Sequence, residues 1–78
     1  MAQQETTPLS LLLERGRSWE EGDKIFQAIA TYFRLMEYHS GTDEAGRARG
    51  RLFDLAQRLE VEGKVYQATH LYQRLAAL

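Results

Sequence analysis

At 78 residues the chain has the size of one small domain, and 44% hydrophobic with 27% charged residues is the balance of a soluble globular fold rather than a disordered tail or a membrane span. Ten Lys and Arg against eleven Asp and Glu leave a formal net charge of -1, which removes the field that would gather nucleic acid or anionic lipid. The absence of cysteine excludes a disulfide framework, thiolate metal ligands and a cysteine nucleophile, and so small a chain has little material for an enclosed active site.

Residues 1–7 are polar, without a basic cluster or a long apolar run, and read as a flexible N-terminal tail rather than a secretory signal, so a cytoplasmic protein is expected. Thr7 followed by Pro8 is an N-cap with proline at the first helical position. Leu9, Leu12, Leu13, Gly16 and Trp19 then recur at three-to-four spacing up to Gly22, which predicts a first helix over about 8–21. Asp23 is the expected N-cap of a second helix over about 24–39, carrying Ile25, Ala28, Ile29, Tyr32, Phe33, Leu35 and Met36 and stopping at His39-Ser40-Gly41. Thr42 or Asp43 caps a third over about 43–62, with Asp43 and Glu44 in the first turn where the macrodipole favours negative charge. Gly46 and Gly50 each cost that helix up to about 1 kcal/mol against alanine, which leaves 42–50 between helix and loop. Gly63 breaks the chain, and Val65, Ala68, Tyr72 and Leu75 form one stripe of a fourth helix over about 64–77. Strand alternation and hairpin dipeptides are missing, so the fold class is all-α.

The chain is also one unit written twice. At an offset of 40, Lys24, Gln27, Ala28, Tyr32, Arg34 and Leu35 fall on Lys64, Gln67, Ala68, Tyr72, Arg74 and Leu75; Leu12 falls on Leu52, Leu13 on Phe53, Gly16 on Ala56 and Glu20 on Glu60. Ile25/Val65 and Phe26/Tyr66 are conservative pairs. The units are about 8–40 and 42–78, within one helical-repeat domain over 8–78.

In the second copy, Leu52-x-x-Leu55-Ala56-x-x-Leu59, then Gly63, then Ala68-x-x-x-Tyr72 and Leu75, resembles the tetratricopeptide repeat; the first copy offers Leu12-x-x-Arg15-Gly16-x-x-Trp19, then Ala28-x-x-x-Tyr32 and Leu35. The first copy departs from the pattern with Arg15 at a large apolar position and Ser40 in place of the closing proline. The resemblance covers about 10–78 and implies an α-solenoid of two antiparallel helix pairs. Repeat packing is then expected from Leu12, Gly16, Trp19, Ala28, Tyr32, Leu52, Ala56, Leu59, Ala68 and Tyr72, with the small residues allowing close helix approach and the aromatics filling the space between repeats.

The same resemblance implies a concave face that holds a peptide or helix of another protein. With Leu12, Gly16 and Trp19 turned inward, Leu13, Arg17 and Glu20 lie on the groove side, and Phe53, Gln57 and Glu60 are their equivalents. Family members that grip a terminal carboxylate do so with Lys and Asn, which these positions lack. A second surface is the stripe Leu71, Leu75 and Leu78. Either Leu75 is spent on the internal core and the others are scattered surface leucines, or, as a two-repeat stack without a polar capping helix favours, the stripe supports self-association or docking into a larger assembly; a fragment of a longer array would look the same. Arg47, Arg49 and Arg51 raise RNA binding as a more remote alternative, disfavoured by the balanced charge. His39 and His70 have no metal-ligand spacing, Glu20 and Glu21 diverge around a helix, and the glycines follow no phosphate-cradling pattern. The expectation is a protein-binding adaptor or assembly subunit without catalysis, metal or cofactor, partnered by another protein and not by nucleic acid or membrane.

Overall fold

The computed structural model describes residues 8–78, so the flexible tail over 1–7 and the Thr7 cap lie outside the described residues. The fold is all-α: α1 (Pro8–Glu21), α2 (Ile25–Tyr38), α3 (Asp43–Val61) and α4 (Val65–Ala76). Each boundary falls within a residue of the one expected from the sequence.

The turns after α1 and α3 are copies of each other. Lys24 N–H donates to the Trp19 carbonyl at 2.7 Å and Lys64 N–H to the Leu59 carbonyl at 2.8 Å. Asp23 N–H donates to Glu20 O at 3.0 Å and Gly63 N–H to Glu60 O at 2.9 Å. These 6→1 and 5→2 bonds close a Schellman motif, whose residue after the C-cap takes the left-handed conformation. That residue is Gly63 at φ +82° in the second copy and Asp23 at φ +61° in the first. Asp23 is therefore not an N-cap. The N-cap of α2 is Lys24, which makes no side-chain capping bond, and the Asp23 carboxylate instead accepts from Arg58 at 2.9 Å. Gly22 sits one position short of the residue that needs positive φ.

Helix α3 runs unbroken through Gly46 and Gly50. Thr42 caps it, its hydroxyl accepting from Ala45 N–H at 3.1 Å, Asp43 and Glu44 occupy the first turn, and the same stretch buries Ala45 and Ala48. A cap, two first-turn acids and two buried alanines outweigh two glycines, whose combined propensity cost is about 2 kcal/mol.

Helices adjacent in sequence pack against one another and α1 also reaches α3, whereas α1 and α4 do not meet. The result is an open stack of 48 × 27 × 14 Å. Its core runs through Ala28, Tyr32, Leu35, Ala48, Leu52, Leu55, Ala56, Leu59, Ala68 and Leu75, with Leu12, Trp19 and Tyr72 half-buried against it. The backbones of α2 and α4 stay apart, but the Arg74 guanidinium lies over the Phe33 ring, 3.9 Å from its centroid, and bridges them.

At Gly16 the close approach is literal. A Cβ there would stand 2.7 Å from Cζ and 2.9 Å from Cδ1 of the Tyr32 ring, and nearer still to Cε1. Tyr32 is fully buried and its hydroxyl donates to the Glu20 carboxylate, so the ring has no free direction of retreat.

Candidate functional site

Three of the residues expected on exposed surfaces are instead structural. Leu13 is 8% exposed and belongs to the core. Gly16 is buried as expected and Leu12 and Trp19 are half-buried against that core, so the buried arc of α1 is wider than the expected stripe and takes in Leu13. Leu71 and Leu75 are 3% and 1% exposed, on the core side of α4, and only Leu78 of that stripe is exposed. The reason is common to both helices. α1 packs against α2 and α3 at once and α4 must close the core over α3, so the most apolar arc turns inward in each.

Glu20 is likewise engaged within the fold. Its carboxylate, with a side chain 9% exposed, accepts from the Arg51 guanidinium through Nη2 and, at 3.1 Å, Nε, and from the Tyr32 hydroxyl. Burial opposes its ionisation, but the hydrogen bonds from Arg51 and Tyr32, with the charges of Arg51 and Arg17, outweigh burial and hold it below the ordinary carboxylate value. Burial and the Glu20 carboxylate push the Tyr32 phenol upward, and Glu20 raises Arg51. This cluster joins α1, α2 and α3.

The second copy repeats half of it. Tyr72 donates to Glu60 at 2.9 Å, as Tyr32 does to Glu20, and that bond pushes the Tyr72 phenol upward. No described guanidinium completes the pair. Phe53, equivalent to Leu13, stands 40% exposed with its ring 6.2 Å from that of Tyr72 and the Arg49 guanidinium 5.4 Å from its centroid. Val65, equivalent to the half-buried Ile25, is 61% exposed. Part of the surface that copy one turns toward copy two thus recurs on copy two around Phe53, Glu60 and Tyr72, with Arg49 of the same helix over Phe53.

Two further clefts border the helices. Between α1 and α3, Leu13, Arg17, Arg47, Gly50, Arg51 and Asp54 line about 410 Å³; Arg51 there is bound to Glu20 and, at 3.2 Å, to Asp54. Arg17 and Gln57 are exposed. Between α2 and α4, a groove of about 520 Å³ runs beside Phe26 and Tyr66, which are 63% and 88% exposed. The pair is matched at the offset of 40, but its exposure is a property of the folded chain and has no signature in the sequence.

Among the described residues no three His, Asp or Glu side chains converge as a metal-ligand set, and no helix is long and apolar enough to cross a membrane. No protein-family model, curated protein or solved structure matches the chain.

Proposed function

We propose that this chain is a non-catalytic protein-interaction module of tetratricopeptide-like character, which docks a helical segment of a partner protein. One observation carries the reading: part of the face of copy one that holds α3 is present again on copy two, around Phe53, Glu60 and Tyr72, with no other described helix upon it. A half-exposed aromatic pair beside a carboxylate is the composition of an interface centre rather than of an inert surface. The contact surface accordingly lies at the end of the stack, where it keeps Phe53 and Glu60; Arg17 lines the α1–α3 cleft, and Leu13 and Glu20 are the engaged equivalents on copy one.

Site-specific photocrosslinking in the native host tests this. A benzophenone amino acid at Phe53 or Tyr72 should give discrete adducts with a partner protein, mapping to a helical segment, while the same group at exposed Glu14 gives none. Identical adduct patterns from all three positions, or no adduct from Phe53 and Tyr72, would sink the reading. Adducts between two copies of the chain would replace the adaptor with a self-assembling subunit.

A further inference from the structure

Resting on that reading, we infer that the docked segment is an amphipathic helix of another protein carrying an arginine that pairs with Glu60, in the register that Ala48, Arg51, Leu52 and Leu55 define on α3. The argument is translation by one repeat. On copy one, Glu20 holds Tyr32 through its hydroxyl and is closed over by Arg51 of the next helix, with Ala48, Leu52 and Leu55 fully buried on that same helix. On copy two, Glu60 and Tyr72 stand in the same relation, joined at 2.9 Å, and the cation is the missing member. Charge complementarity therefore asks for a guanidinium, which fits a carboxylate through two parallel bonds as Arg51 does at Glu20. A small residue three before it lets the helix approach, and leucines one and four after it cover Phe53 and Tyr72.

A second copy of the chain supplies this poorly. At the equivalent positions of its own α1 it has Pro8, Leu11, Leu12 and Arg15, which sets a leucine over the carboxylate and a cation where a leucine belongs. The open face is also less apolar than its buried counterpart, with Thr69 and Ala76 where copy one has Ile29 and Met36. Less apolar area to bury suits a reversible contact with a separate partner.

The probe is a helical peptide of residues 43–62 of this chain, with a hydrocarbon staple replacing Gly46 and Gly50, whose positions face open space. It is titrated into the isotope-labelled full chain and followed by amide chemical shifts. Binding with shifts centred on Phe53, Glu60 and Tyr72 is expected. Arg51→Glu in the peptide should weaken binding roughly tenfold, and Glu60→Arg in the protein should restore most of it to that peptide. Shifts at the face that ignore the charge exchange would overturn the arginine while leaving the interaction reading intact. No binding up to millimolar peptide, shifts confined to the α1–α3 cleft or to Leu13 and Tyr32, or self-association of the full chain through Phe53, would overturn the face itself.

Discussion

Replacing Gly16 by alanine adds one methyl group at the point where α1 lies against the Tyr32 ring. The new Cβ would sit 2.7 Å from Cζ and 2.9 Å from Cδ1, against an ordinary carbon–carbon separation of about 3.5–4.0 Å, so ring or helix must give way by about 1 Å. Tyr32 is fully buried and tethered to Glu20, and moving it strains the packing at about 1–3 kcal/mol. If the hydroxyl leaves Glu20, a bond to a charged acceptor worth about 1.5–3 kcal/mol is lost as well. Against this, alanine gains about 1 kcal/mol of helix propensity over glycine. The balance is a net loss of up to about 2 kcal/mol if the hydroxyl keeps its bond and of about 1.5–5 kcal/mol if it leaves, with a fall in Tm of about 4–8 °C for each kcal/mol in a domain this small. Gly46→Ala and Gly50→Ala are the internal controls. Both lie within α3 with open space around the added methyl, so each should gain up to about 1 kcal/mol and melt higher. Thermal and urea unfolding followed by circular dichroism give all three. A Gly16→Ala protein that melts at or above the parent would refute the close-packing argument, and Tyr32→Leu should abolish most of the difference in a double-mutant cycle.

Other substitutions read the remaining contacts. Because Glu20 is held below the ordinary value of 4.5, the folded chain takes up its proton less readily than the unfolded chain. Its contribution is complete above the ordinary carboxylate range and is lost as pH falls through and below it, so the parent loses stability on acidification and Glu20→Gln, weaker at neutral pH by about 1–2 kcal/mol, shows a flatter decline. An equal acid slope in both proteins would remove Glu20 from the account. Leu71→Asp and Leu75→Asp bury an unpaired carboxylate and should abolish the helical signal, whereas Leu78→Asp, at a residue 55% exposed, leaves it intact; folded Leu75→Asp protein would mean that α4 is not part of the core. Gly63→Ala places a side chain at φ +82° and should cost about 1 kcal/mol in urea unfolding, and an unchanged midpoint would count against the left-handed turn.

Local signals wrote most of the fold legibly. Thr42 with Asp43 and Glu44 starts a helix, Gly63 ends one, and the three-to-four spacing of apolar residues marks each body, because capping and periodicity act over a single turn. The twofold unit was equally plain, and with it the pairing of Tyr32 and Tyr72 with carboxylates twelve residues earlier, which the alignment of Glu20 on Glu60 had displayed without its meaning. The width of the buried arc on α1 was another matter. Leu11, Leu12 and Leu13 are consecutive, each about 100° from the next, and a helix that packs on two neighbours has a buried arc wide enough to accept either Leu12 or Leu13. Only the arrival of α3, with Arg51 reaching Glu20, selects Leu13 for the core and leaves Leu12 at its margin. The same holds at α4, where a stripe of leucines has one appearance in sequence whether it faces a core or a partner. Periodicity along a helix determined that such a stripe exists. Its direction is decided by which neighbours stand beside it, and that is a property of the assembled stack.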